Sequence, residues 1–199
     1  MILNVREMMV GKPIKMRYVY RFQACRVNDR ESIIEHTGFV GMYAMLIAMY
    51  VEETTLNLRV DYKILMQRAM VHDMEEVVTG DFPRPYKYSN EELKQALDRA
   101  APMAFREVIT GLVDKKTQGI LGKVWEQAKA DDLEGNILLL ADFLSALSYI
   151  VQEVQAGNKS MQSQNWTLRQ ALDHIETKVN TALHPLVEQA RAVMLEYIP

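Results

Sequence analysis

Asp142 is the one charge between Glu134 and Glu153, set in the run Ile137-Leu138-Leu139-Leu140-Ala141-Asp142-Phe143-Leu144-Ser145-Ala146-Leu147. An ionised carboxylate in an apolar helix costs several kcal/mol, as an order of magnitude, unless a metal or another cation compensates it. Its plainer alternatives are a narrow polar stripe facing solvent or a pairing with an arginine. His72-Asp73 follows the core-like segments Ile64-Leu65-Met66 and Ala69-Met70-Val71. Neighbouring helical positions diverge by about 100°, so both side chains reach one ion only over their shared edge. By itself the dipeptide also fits a satisfied core histidine beside a surface acid. His36 lies between Ile33-Ile34 and the uncharged stretch Phe39–Val51, where a buried, hydrogen-bonded imidazole is the alternative. His174 and His184 lack such surroundings and receive no role. Taken as a set, His36, His72, Asp73 and Asp142 make a mixed nitrogen–oxygen site with room for water and substrate oxygens. Such a set suits Mn, Fe, Co, Ni or Zn better than Mg, which prefers oxygen alone. Glu76, one helical turn beyond His72 on the same face, is placed to take a proton from activated water or give one to a leaving group.

The elements that must bring these residues together are helices, because apolar positions recur with helical spacing and no convincing alternating strand is present. Residues 1–28 read as irregular or short-helical, broken by Gly11 and Pro13. The pattern predicts long helices over Asp29–Glu53, with Ser32 and Glu35 spaced as a capping box, and over Asp61–Thr79, stopped by Gly80. Asp81-Phe82-Pro83-Arg84-Pro85 must be a loop. A third helix capped by Ser89 or Asn90 is expected to kink or end near Pro102, followed by helices at Lys115–Ala130, Leu133–Ala156, 163–182 and 185–198. The methionines, 13 in number, scatter along apolar faces as core filler rather than forming a promiscuous groove.

Composition sets the class. A chain of 199 residues, 49% hydrophobic, buries a full core without a disulfide or a structural metal, and we expect one domain over 1–199. Nine glycines and six prolines leave little linker, and Cys25 alone excludes a disulfide framework and fits a reducing cytoplasm. A net charge of −3 argues against a protein that coats nucleic acid. Arg6 and Glu7 interrupt the apolar start, so no secretion signal is read there. The longest uncharged run, Thr37–Val51, falls short of the roughly 20 residues of a membrane span. The expectation is an all-α, single, compact multi-helix bundle in the cytoplasm.

The order His36, His72-Asp73, Asp142 resembles the pattern of HD-domain metal-dependent phosphohydrolases. A closer resemblance, to the YfbR-type 5′-deoxynucleotidases, rests on several segments spanning Arg21 to Asn158. These are Arg21 and Glu35-His36; the block His72-Asp73-Met74-Glu75-Glu76-Val77-Val78-Thr79-Gly80-Asp81-Phe82-Pro83; Pro85 and Lys87-Tyr88; and Ala141-Asp142 with Ala156-Gly157-Asn158. The resemblance implies that His36, His72, Asp73 and Asp142 hold one divalent metal (Co, Mn, Zn, Ni or Fe). It implies that Glu76 is the acid/base, that Arg21 holds the phosphate, and that Asp81, Phe82, Pro83 and Arg84 line the nucleoside end, Asp81 facing the sugar 3′-hydroxyl. Two positions depart from the family. Phe22 stands where a tryptophan commonly crowds the sugar 2′ position, and Arg84 stands where a small polar residue is common. Arg84 is either a solvated loop charge or a contact for further phosphates. The implied substrate is a small deoxynucleotide, not a nucleic-acid polymer or a membrane, and the implied assembly is a homo-oligomer. Hydrolysis of deoxynucleoside triphosphates at the same site is the alternative activity. A helical binding or dimerising protein with a structural metal is the alternative of another class.

Overall fold

The computed structural model describes residues 2–87 and 90–199, and of Arg84 the backbone only. Among these residues the chain is helical, and the only strand-like pairings are isolated bridges. The helices are α1 (Val5–Val10), α2 (Ile33–Thr54), α3 (Tyr62–Val71), α4 (Glu76–Thr79), α5 (Arg84–Lys87), α6 (Glu91–Ile109), α7 (Lys115–Glu126), α8 (Leu133–Gln155), α9 (Asn165–Lys178) and α10 (His184–Tyr197). Short 3-10 turns at Pro13–Tyr18, Lys159–Gln164 and Thr181–Leu183 join them.

The two longest helices, α2 and α8, pack along one another and form the axis of the bundle, with α3 against both. Val40, Ala44, Ile47 and Val51 of α2 meet Ile137, Leu138, Leu140 and Ala141 of α8 in a single buried cluster. By length and composition alone each of these helices could cross a bilayer; within the bundle 44% of the apolar window of α2 and 50% of that of α8 is buried. Residues 159–199, outside the recognisable motifs, cover this core. Leu168, Leu172 and Ile175 of α9 and Val187, Ala190 and Met194 of α10 are buried in the same cluster.

Several expected boundaries move: the Asp81–Pro85 loop gives way to α5 at Arg84, α7 stops at Glu126 rather than Ala130, and four others shift for tertiary reasons. Helix α2 starts at Ile33 rather than Asp29, with the Ser32–Glu35 capping box in place. Residues 31–33 are instead used in pairing: Arg21 N–H donates to the Glu31 carbonyl and Ile33 N–H to that of Val19, both at 2.9 Å. The expected Asp61–Thr79 helix stops at Val71 and restarts as α4 after tight turns, with Met74 N–H bonded to Val71 and Glu76 N–H to Asp73. No glycine or proline marks that break; it lets His72, Asp73 and Glu76 face one region that a straight helix would spread at about 100° per residue. Helix α6 runs through Pro102 without ending, because Ala104, Phe105, Val108 and Ile109 beyond it are buried. That burial outweighs the lost hydrogen bond. Helix α9 is shorter than 163–182: Asn180 N–H donates to the buried Asn136 side chain and turns the chain away. Asn90 caps α6 through the Glu92 and Leu93 amides, while Ser89 lies outside the described residues.

The turn that leads into α8 is closed by Asp132, which caps Gly135 N–H and takes a two-pronged bond from buried Arg68 at 2.5 and 2.8 Å. A Cβ at Gly135 would sit 2.1 Å from the Ala130 carbonyl oxygen, a backbone atom that cannot step aside. Gly135→Ala is therefore expected to lower stability by about 2 kcal/mol or more. Thermal or urea unfolding checks this, and an unchanged midpoint would refute the close approach.

Candidate metal centre

Three elements deliver the site. Helix α2 carries His36 one turn past its cap, the break after α3 carries His72 and Asp73, and the middle of α8 carries Asp142. One ligand atom from each of the four lies within 4.8 Å of the others. His36 Nε2 is 3.1 Å from Asp142 Oδ1 and 3.4 Å from Asp73 Oδ2, and His72 Nε2 is 3.0 Å from Asp73 Oδ2. Yet neither Nε2 makes a hydrogen bond of acceptable geometry, although both imidazoles are buried. The other ring nitrogens are engaged: His72 Nδ1 with the Ala69 carbonyl at 2.8 Å, and His36 Nδ1 with Ser145 Oγ at 2.9 Å. The Ala69 carbonyl fixes His72 as the Nδ1–H tautomer, and Ser145 with the Arg21 guanidinium engages His36 Nδ1, so each ring turns its Nε2 toward the carboxylates, the orientation in which a histidine serves a cation. Burial would raise the Asp142 and Asp73 carboxyls. Lys129 and His36 instead hold Asp142, and His72 and His36 hold Asp73, well below the carboxylate range. The donor set fits a divalent transition metal.

Arg21 reaches the same place from the loop before α2. The pairing of 19–21 with 31–33 sets it there, and buried Glu31 grips its Nη1 at 2.9 Å, with His36 Nδ1 at 2.7 Å. Phe22 takes a left-handed conformation, φ 55°, which costs a bulky residue energy and persists only where surroundings enforce it. Here its N–H donates to Asp81 Oδ2 at 3.2 Å and its ring stacks on Tyr149 at 4.9 Å. Asp81 is thus tied to the loop that carries Arg21. Gly80, at φ 75°, turns the chain from α4 into that aspartate.

A cavity of about 1010 Å³ opens over the cluster. Arg21, Phe22, Asp73, Glu76, Asp81, Phe82, Pro83 and Asp142 all line it, and α9 closes its far side with Leu168 and Ala171. The Arg84 side chain lies outside the described residues. Glu76 presents a buried Oε2 with no hydrogen-bond partner. Burial first, then Asp73, Asp81 and Glu75, push its carboxyl well above the ordinary range. Three residues near the centre and one contact escaped the sequence reading. Ser145, one turn after Asp142 on the same helix face, was discoverable by spacing. Lys129, which pairs with Asp142 where an arginine was one alternative, Glu31 and the Glu75–Trp125 bond at 2.7 Å carry no local signal.

A helical bundle that gathers two histidines and two aspartates in this order and geometry defines an HD-domain metal-dependent phosphohydrolase. The profile of the family described as 5′-deoxynucleotidase YfbR-like matches residues 12–188, and the chain belongs to that family. Among curated relatives, the 5′-deoxynucleotidase YfbR of Escherichia coli O1:K1 is 27% identical over 144 residues, 72% of this chain and 71% of its own. Among solved structures, the PH0347 protein of Pyrococcus horikoshii superposes with a TM-score of 0.75 at 17% identity, covering 96% of this chain and 99% of that one. An HD-domain phosphohydrolase of Listeria innocua gives 0.68 at 18% identity, with the same coverage.

Glu75 supplies a pH test of the centre. Its carboxyl is pushed up from 4.5 to about 7, by burial first and by the charge of Asp73 second. A raised carboxyl favours the folded state while protonated. Its contribution is whole below about pH 4.5 and is lost as pH rises through about 7. Chelated protein is therefore expected to lose up to about 3 kcal/mol across that window, and Glu75→Gln to flatten the loss. Melting temperature against pH for the two proteins measures it; parallel curves would refute the assignment.

Proposed function

We propose that this phosphohydrolase is a 5′-deoxynucleotidase that converts deoxynucleoside monophosphates to deoxynucleoside and phosphate. The observation that carries the reading is the pair of buried, unpartnered Nε2 atoms facing two carboxylates, with Arg21 and Asp81 tied to the same cavity. His36, His72, Asp73 and Asp142 would hold one divalent ion (Co, Mn, Zn, Ni or Fe), which when bound supplies Lewis acidity toward phosphoryl oxygen and water. Arg21, held by Glu31, presents a fixed, permanent positive charge to the phosphate and shares the charge that develops on it. Glu76 takes the proton of the attacking water and returns it to the leaving 5′-oxygen. Asp81 accepts from the sugar 3′-hydroxyl while Phe22, Phe82 and Pro83 form the apolar wall, with Arg84 next in the chain at the start of α5. The substrate is a small deoxynucleotide rather than a nucleic-acid polymer or a membrane, the whole chain acts as one domain, and the compartment is the cytoplasm.

A second reading, hydrolysis of deoxynucleoside triphosphates at the same centre, is favoured by cavity size. At about 1010 Å³ the space reaches the top of the range of about 300–1,000 Å³ usual for small-molecule sites.

Release of phosphate from a panel of deoxynucleoside monophosphates with Mn²⁺ or Co²⁺ tests the first reading; intact tripolyphosphate from dATP or dGTP would select the second. Asp73→Asn is expected to lose both bound metal and activity. Glu76→Gln should keep the metal and lose roughly 10²–10⁴-fold in rate, the usual share of acid–base catalysis. Full activity in Asp73→Asn would reject the centre.

The assembly we propose is a homodimer through α2. Ile34, Phe39, Met42, Met45, Leu46 and Met49 of that helix are each 40–55% exposed. Gly38, Met42, Met45 and Met49 follow the 4-3-4 spacing of a helix–helix seam. At roughly 100 Å² apiece the six side chains offer on the order of 600 Å² before any polar rim, close to the roughly 800 Å² each partner gives a standard interface. The seam carries no charge between Glu35 and Glu52, so a second copy matches it by two-fold symmetry. Leu46→Glu with Met49→Glu is expected to yield a folded monomer by light scattering. A wild-type chain that is monomeric at micromolar concentration would refute the interface.

A further inference from the structure

The Arg21 loop also lines a second cavity, of about 470 Å³, which shares Arg21, Phe22 and Cys25 with the first. Its remaining walls are Tyr18, Tyr20, Gln23, Arg26, Val27 and Arg30, with no carboxylate among them. This is unusual ground for a chain of net charge −3: residues 12–30 hold six basic side chains against the single acid Asp29.

Two of those basic groups line the cavity with no carboxylate partner. Lys12 pairs with Glu107 and Arg21 with Glu31. Among the described residues, no carboxylate lies at ion-pair distance from Arg26 or Arg30, and Arg30 rests its guanidinium over the Tyr20 ring, 5.5 Å from its centroid. Their backbone, by contrast, is nailed down. Asn28 and Asp29 donate their N–H groups to the buried Glu153 of α8 at 2.8 and 2.9 Å, and the Asn158 amide donates to the Arg26 carbonyl at 2.8 Å. A loop fixed this firmly presents its arginines already placed, so less ordering cost falls on a ligand.

One phosphate needs one arginine fork. Arg21 supplies it, and the two further forks that line the same cavity offer places for further anionic oxygens. We propose that the second cavity is a subsite for a phosphate chain: Arg26 and Arg30 bind the second and third phosphates of an oligophosphate whose first phosphate lies at Arg21. The ligand class is inorganic oligophosphate or the polyphosphate tail of a nucleotide. This extends the nucleotide reading given above, and it assigns to that tail a place outside the metal-facing cavity. Guanidinium forks suit it because each meets two phosphate oxygens at once. The tyrosine beneath Arg30 limits its rotamers and so its entropy loss on binding.

The test is calorimetric titration of the full-length protein in metal-free buffer, where tripolyphosphate has no cation to sequester. Wild type is expected to bind tripolyphosphate at least tenfold more tightly than inorganic phosphate. In the double variant Arg26→Gln, Arg30→Gln that advantage should vanish, with affinity for inorganic phosphate kept within twofold. Arg26→Lys with Arg30→Lys should retain part of it, since the charge survives and the fork does not, and its folding guards against a merely misfolded glutamine variant. Unchanged tripolyphosphate affinity in the glutamine variant, an equal loss for both anions, or tighter binding of an oligothymidylate than of tripolyphosphate would each overturn the subsite. No turnover enters the measurement. Failure to hydrolyse deoxynucleoside monophosphates would leave it standing, and its own failure would leave that activity untouched.

Discussion

Two carboxylates and two imidazole nitrogens brought within 4.8 Å in a buried place are an electrostatic problem that the rest of the fold answers. Buried charge is tolerated only when it is paired or coordinates a cation. Asp142 is met by Lys129 and His36, Asp73 by both histidines, and Arg21 stands close enough for its own charge to be felt by both aspartates. The compensation is incomplete, because the two Nε2 atoms remain without a hydrogen bond. That remainder is the chemistry of the site: a divalent cation held there would satisfy both nitrogens and both carboxylates.

The architecture follows from holding those four groups still. Side chains in the cluster come from three elements, so α2, α3 and α8 must pack without play, and they do so through small and β-branched residues such as Ala44, Ala48, Ala69 and Ala141 at their contacts. The break after α3 is part of the same bargain, since helix continuity is given up where His72, Asp73 and Glu76 must converge. Second partners set the imidazoles: the Ala69 carbonyl for His72 and Ser145 for His36.

Around this centre the polar loop before α2 is held by groups distant in sequence. Glu153 and Asn158 fix residues 26–29 from the end of α8, Glu31 fixes the Arg21 fork, and Asp81 fixes the strained backbone of Phe22. The same loop lines two cavities, one over the metal centre and one that includes Arg26 and Arg30. Its rigidity lets a single backbone serve both. The phenylalanine at position 22 is packed on Tyr149, which explains how a smaller ring than tryptophan is kept in place.

Much of this was legible in the sequence. Helical periodicity gave the class of fold, Ser32 and Glu35 marked the start of α2, and the charge of Asp142 in an apolar run identified a residue that needed a partner. These are local signals, carried by residues within a turn or two of one another. The break at His72 and the identities of Lys129, Glu31 and Glu153 were not legible, because each depends on a group 10 to 125 residues away or on burial that only packing creates. The sequence determined by itself which residues are able to ligate, cap and form helices, since those properties belong to the side chain and its near neighbours. Only the tertiary structure decided that the ligating atoms converge and how each imidazole is oriented. It also decided which arginines are left unpaired, because distance, desolvation and hydrogen-bond competition exist only once the helices have packed.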